Sequence, residues 1–356
     1  MQPCLSAQPP TAIHFVGKAF PYISSRSGYT RLVDHVEREM PVEIVDGSSR
    51  RDLPSRLCGW ASRRSAHQWY TTHSFRIEVD ATVRLVRSRH AISHVLWAED
   101  YLRYLGHARL IGRLNRNKIV ATYHQPPEVL ERVVLGARAA RDLDAVIVLG
   151  SNQVSYFEST LDREQVVLIP HGIDTDYFAP ANEDRSNGRV CLSVGRWLRD
   201  FETLRGVIDC VGTRDPSVSF RLVVPEDTAT RFEGLKNVQL LRSLTDEELL
   251  REYRNADVLV LPYEDVVASN AMLEGLSCGL PVVTTDVGAM RDYVTPECGY
   301  MVPPGDVAKM SEAVLMIVGD DERRHQMGIH SRQAALNCDW RLVAAAHMEL
   351  YRRLAA

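Results

Sequence analysis

The chain has 356 residues, 45% of them hydrophobic and 25% charged, with a formal net charge of −4. This is the balance of a soluble globular chain, and it excludes collagen-like, disordered and disulfide-scaffold classes. The length asks for two or three structural units. No apolar run approaches the roughly 18 residues of a membrane span.

Met1–Pro10 has neither a basic stretch nor a long apolar one, so no signal peptide is expected. The seven cysteines are scattered, odd in number and never spaced as CxxC. They argue against zinc and redox frameworks and for a reducing cytoplasm. Charge is uneven along the chain. Residues 1–180 hold 22 Lys+Arg against 19 Asp+Glu, and the remainder 20 against 27. Residues 50–89 hold nine arginines against Asp52, Glu78 and Asp80. Such a stretch suits anionic lipid heads or phosphorylated substrates; a solvated face is the alternative.

In chain order, the first half predicts strands at Ile13–Val16, Val42–Val45, Val95–Trp97, Ile119–Thr122 and Val146–Leu149. The second half predicts Val190–Val194, Phe220–Val224, Val238–Leu241, Val258–Leu261 and Val282–Thr284. Helical stretches alternate with them, which argues for two doubly wound α/β domains in tandem. A polar junction with Pro180 and Gly188 falls at Tyr177–Arg189. Ligands of open parallel sheets lie beyond the carboxyl ends of the strands. With two sheets, the site is expected in a cleft between them.

After the first strand, Ser27 and Gly28 open a helix that can receive phosphate; a plain cap and turn is the alternative. The pattern GxGxxG is absent, which disfavours a nicotinamide enzyme. Ser48–Ser74 mixes Arg50, Arg51, Arg56, Arg63 and Arg64 with Trp60, Trp69 and Tyr70 and has little periodicity, so it reads as a long loop. His124 follows the fourth strand, where it can bond a sugar hydroxyl or take a proton, or merely satisfy a turn. A further strand from Val166 emerges into His171, Gly172 and Asp174, where Asp174 reads as a turn holder.

Arg196 and Arg199 follow Val190–Val194 and can clamp a diphosphate in bidentate fashion, Arg196 being directly after the strand. The alternative for Arg199 is a surface pair with Asp200. Thr245-Asp-Glu-Glu248 is a capping box. Ser269 caps a helix that runs through Glu274 to Gly279, and its start offers N–H groups to an anion. Glu274 can accept bonds from a ribose diol or be an ordinary helix carboxylate. Gly275 costs about 1 kcal/mol in a helix, a hint of close packing. Asp306 opens a helix that stops at Gly319.

Together these blocks resemble the family 4 glycosyltransferases. IPHGIDTDYFAP resembles that family's strand-to-domain junction and SVGRWLRDFETL its donor-phosphate block. SNAMLEGLSCGLPVVTTDVGAMRDYV with CGYMVPPGD resembles its nucleotide-sugar block. The resemblance implies the GT-B fold, two Rossmann-like doubly wound domains facing a central cleft. Residues 1–176 would be the acceptor-binding domain, 177–189 a linker and 190–335 the nucleotide-sugar domain. A C-terminal helix over 336–356 would pack back towards the first domain.

It further implies retaining transfer, by front-face attack, from a UDP- or GDP-linked sugar. The acceptor would be a glycan, glycolipid or small molecule, in cell-surface polysaccharide or glycoconjugate biosynthesis. By this resemblance Arg196 binds the donor diphosphate and Arg199 falls near the family's usual lysine. Glu274 is the second Glu of E-x7-E and holds the ribose. Ser269 and Asn270 present N–H groups to phosphate, His124 lies near the donor sugar, and Gly28 belongs to the flexible glycine loop. The first Glu of E-x7-E falls on Val266; Glu264 or Asp265, just before it, would have to serve instead.

The D-x-D patterns at Asp142–Asp144 and Asp174–Asp176 lie before a strand and in the junction, so no metal and no cofactor beyond the donor are expected. Arg63, Arg64 and Trp69 are expected to meet the acceptor, anionic or lipid-linked, with peripheral contact at the cytoplasmic membrane face. No stacking motif accompanies the basic stretch, so nucleic acid is not expected. A catalytically silent GT-B scaffold and a sugar-nucleotide epimerase are the alternatives.

Overall fold

The computed structural model describes residues 10–18, 26–50, 52–108, 115–134, 136–181 and 189–356. The chain divides into two compact units. One gathers residues 1–23, 28–171 and 340–356; the other gathers 24–27 and 172–339.

In the first unit six parallel strands form a sheet in the order β2-β1-β3-β4-β5-β6. They are β1 (Ile13–Val16), β2 (Val42–Val45), β3 (Ile92–Val95), β4 (Lys118–Tyr123), β5 (Ala145–Val148) and β6 (Val166–Leu168). Strands β1, β3 and β5 are buried at every position. Parallel strands covered on both faces require such unbroken runs. The helix Thr72–Arg87 buries Ile77, Ala81 and Leu85 and starts from a Thr71–Ser74 capping box. The helix Trp340–Ala355 belongs to this unit and buries Trp340, Val343, His347, Leu350 and Tyr351.

The second sheet is also parallel, in the order β12-β11-β10-β7-β8-β9. Its strands are β7 (Val190–Val194), β8 (Ser219–Val223), β9 (Val238–Leu241), β10 (Val258–Leu261), β11 (Val282–Thr285) and β12 (Gly299–Val302). Side chains alternate across a strand. Accordingly Leu259 and Leu261 enter one core, with Tyr253, Met272 and Leu276. Val258 and Val260 enter the other, with Ile208, Phe220 and Val314. Gly275 abuts Leu259, whose Cδ2 lies 2.5 Å from where a Cβ would stand. Thr245, Ser269 and Asp306 cap the helices Asp246–Asn255, Asn270–Ser277 and Val307–Val318, as the sequence predicts.

Three expectations are corrected. The third strand is Ile92–Val95 and not Val95–Trp97, because the polar pair Ser93 and His94 is buried. The further strand read from Val166 is the short β6, while the glycine-led β12 was not expected. A Cβ at Gly299 would collide with the Val282 carbonyl, so the strand needs the residue that obscures it. Ser48–Ser74 is not a long loop: it contains the helix Ser55–Ser65. That helix buries Cys58, Ala61 and Ser65, residues too small or polar to mark an apolar period. Of the polar junction, residues 182–188 lie outside the described residues, while Phe178 is fully buried in the second unit.

Candidate functional site

Strand order locates the candidate sites. Sheet order reverses between β7 and β10 in the second unit and between β1 and β3 in the first. Crevices at such points, outside the carboxyl ends, are where doubly wound folds bind ligands.

In the second unit the backbone leaves β7 through Gly195, at φ 91°, and bridges from Arg199 to Tyr263 beyond β10. Arg199 is 7% exposed. Its Nη2 donates to the Val194 carbonyl at 2.8 Å and lies 3.5 Å from Ser269 Oγ. The guanidinium stands 3.9 Å from the centroid of the Tyr263 ring. Gly195 keeps this space open, since Nη2 would lie 3.4 Å from a Cβ there. These partners are all neutral. Asp200, the alternative partner, instead caps the helix Phe201–Arg214 by accepting from Thr203 N at 2.9 Å.

A buried cation held only by dipoles and a ring is costly until an anion joins it. The helix Asn270–Ser277 begins beside it. Ser269 Oγ accepts from Met272 N at 3.3 Å, while the N–H groups of Asn270 and Ala271 have no partner among the described residues. Guanidinium and helix start therefore favour negative charge together.

Arg196 sits differently. It is exposed and lies 3.6 Å from the equally exposed Asp227. Glu274 is 3% exposed, and its Oε2 accepts from Tyr253 Oη at 2.7 Å. Burial raises its pKa, and hydrogen bonds from Ser27 and Tyr253 oppose the rise. Val266 is buried in the apolar core. Asp265 turns back to accept from the Val266 N–H at 2.7 Å, and Glu264 is exposed. Asp174 accepts from Tyr177 N at 3.1 Å, in keeping with a turn holder.

In the first unit His124 follows β4. Glu99 is buried, and its Oε1 accepts from the backbone N–H groups of both His124 and Gln125. Its Oε2 stands 3.7 Å from His124 Nδ1. Among the described residues, both ring nitrogens of His124 lack a hydrogen-bond partner. The ring lies nearly parallel to Trp97, centroids 6.0 Å apart, and meets Tyr29 edge-on at 4.8 Å. Burial, and then Glu99, push the neighbouring Asp100 carboxyl up to about 7.

Gly28 is buried and precedes Tyr29, which is the node of a buried network. Val343 O fixes the His347 proton on Nδ1, at 2.8 Å. Tyr29 Oη therefore donates to His347 Nε2, at 2.8 Å, and accepts from Thr122 Oγ1 at 3.2 Å. Thr122 also bonds His94 Nε2 at 2.8 Å, and His94 Nδ1 meets Tyr351 Oη at 2.6 Å. Burial lowers His347 to about 4 and holds His94 well below its ordinary value.

Arg63 and Arg64 are exposed on the helix Ser55–Ser65, and Trp69 lies apart from it, half-buried. Tyr263, Tyr253, Tyr29, Glu99 and Asp100 are site residues that the sequence reading missed. Only the place of Tyr263 and Glu99 just past strand ends signalled them.

Residues 189–320 match the family model described as glycosyl transferases group 1. Those residues are a group 1 glycosyltransferase domain. The chain is 22% identical over 343 residues to a D-inositol 3-phosphate glycosyltransferase of Corynebacterium urealyticum, covering 87% of this chain and 78% of the relative. Sucrose-phosphate synthase of Thermosynechococcus elongatus superposes with a TM-score of 0.70 at 18% identity, over 97% of this chain and 99% of that one. HepE of Anabaena, in complex with UDP-glucose, does so with 0.70 at 14% identity, over 95% and 98%. The chain spans only 59% of the S. aureus TarM chain, with a TM-score of 0.61 at 15% identity over 77% of this chain. The chain is similar to these glycosyltransferases, and its fold is the two-domain, Rossmann-like GT-B fold.

Proposed function

We propose that this protein is a retaining glycosyltransferase that moves a sugar from a nucleoside diphosphate to a hydroxyl acceptor without a divalent metal. The observation that carries the reading is Arg199, a buried guanidinium beside an open helix start with no carboxylate to neutralise it among the described residues. As the anomeric C–O bond breaks, negative charge grows on the departing diphosphate. A preorganised cation and fixed N–H dipoles in a water-poor pocket stabilise that charge, the usual task of a metal. Arg196, exposed at the same strand end, would reach the outer phosphate oxygens.

Glu274 would hold the ribose, exchanging one of its hydroxyl partners for the diol. His124, with unengaged ring nitrogens, would bond the sugar or the incoming hydroxyl. The name of the Corynebacterium relative supports a phosphorylated polyol as one acceptor class. The cysteines Cys58, Cys191 and Cys298, which form no disulfide among the described residues, support a reducing, cytoplasmic setting.

A single incubation with UDP- and GDP-sugars, with and without EDTA, tests this. Turnover with retained anomeric configuration, insensitive to EDTA, is the expected result. Loss of activity with EDTA overturns the metal-free step. An isomerised sugar identifies an epimerase. Tight nucleotide binding without turnover identifies a silent scaffold, the reading that the buried Val266 favours.

A further inference from the structure

The helix Ser55–Ser65 is turned inside out. Its buried side consists of Cys58, Ala61 and Ser65. Arg56, Leu57, Trp60, Arg63 and Arg64 are exposed. With 3.6 residues per turn, these five fall on one arc of about 120°, Trp60 near its middle. Leu57 is 45% exposed and Trp60 56%. The Arg64 guanidinium lies 5.7 Å from the centroid of the Trp60 ring. The helix contains no Asp or Glu, and among the described residues no ion pair engages Arg56, Arg63 or Arg64.

Single exposed apolar side chains need no explanation. Here, however, the two largest apolar side chains of one helix share its outer face with three arginines. Tryptophan and leucine settle at the boundary between headgroups and acyl chains, and guanidinium groups beside them meet lipid phosphates. No described helix is long and apolar enough to cross a membrane, so attachment through this helix would be interfacial.

We propose that this face docks the first unit onto a bilayer carrying anionic lipid, with Trp60 and Leu57 entering the interface and Arg56, Arg63 and Arg64 on the phosphates. An acidic protein surface would satisfy the arginines but gives no reason for the central tryptophan to stay bare. Trp69, expected from sequence to share this role, is half-buried and outside the helix. The proposal does not depend on the transfer reaction.

The test is co-sedimentation of the full chain with two vesicle types: phosphatidylcholine alone, and phosphatidylcholine with one third phosphatidylglycerol. Binding to the mixed vesicles only, weakened by salt, is expected. Trp60→Ala with Leu57→Ala should weaken it at least about tenfold. The triple change of Arg56, Arg63 and Arg64 to Glu should abolish it, and the triple change to Lys should restore most of it. Trp69→Ala should bind as the wild type. All these side chains except Trp69 are exposed, so unchanged melting curves verify the fold of each variant. No binding to the mixed vesicles overturns the proposal. So does equal binding to phosphatidylcholine, or binding that survives the Glu changes.

Discussion

In the second unit the arginine proposed to carry the chemistry is held by residues no more than 70 positions away. Arg199 bonds the carbonyl of Val194 and stacks on Tyr263, just past the next strand of the sheet. In the first unit His124 is surrounded by residues gathered from the whole chain. Its edge-on neighbour Tyr29 is bonded to His347, 318 positions away. Two parallel sheets of equal size thus organise their strand ends in opposite ways. One buries an arginine with no carboxylate partner among the described residues; the other fixes neutral rings by a network that spans the chain. Charge is suited to stabilising a leaving group, and fixed neutral rings to shaping a pocket around an uncharged sugar.

The sharpest way to break this contrast is Arg199→Ala. A lost donor of this kind costs about 10²–10³-fold in turnover, read as initial rate with the best nucleotide sugar. Arg199→Lys should recover only part, because an ammonium cannot both fork onto Val194 O and lie flat on Tyr263. Full activity in Arg199→Ala would remove the charge argument altogether.

Tyr29→Phe comes next. It deletes the hydroxyl bonded to Thr122 and His347 and should lower unfolding free energy by about 1–3 kcal/mol in urea titrations. The rise in Tm on adding nucleoside diphosphate should persist, since the groups proposed to bind the donor belong to the other unit. Loss of that rise would show that the network governs donor binding.

Acid unfolding sharpens the comparison further. His347, held at about 4, and His94, also lowered, are neutral in the folded unit but take up protons near 6.5 once unfolded. Their contribution is whole above about pH 6.5 and is lost as pH falls towards 4. Each tenfold difference in proton affinity between the folded and unfolded chain is worth about 1.4 kcal/mol. His347→Gln should flatten this limb of the stability curve; an unchanged limb would mean that His347 does not set it. The smallest effect is expected at Arg196→Ala. Its exposed pair with Asp227 contributes little, so stability should change by less than about 0.5 kcal/mol.

This contrast also explains what was legible in the sequence. Caps at Thr245, Ser269 and Asp306 could be read because a cap is settled within four residues. The ends of β7, β9 and β10 could be read because a Val or Leu marks each of them. Arg199 was visible, but Arg196 looked better placed; only the turn at Gly195 and the ring of Tyr263 reveal which arginine is buried. In the first unit His94 disguised its strand, and nothing local links Tyr29 to His347. The basic helix was hidden for another reason. Its large side chains face outward, so no apolar period marks it.

The last helix has a consequence for synthesis. Tyr351 and His347 supply partners for His94 and Tyr29, so the first unit cannot close its network when residue 171 leaves the ribosome. At about 5–20 residues per second it must wait roughly 10–40 s more for the final helix to emerge. During that interval all six strands are made but the partners that His347 and Tyr351 supply are not, and a chaperone has its best opportunity there.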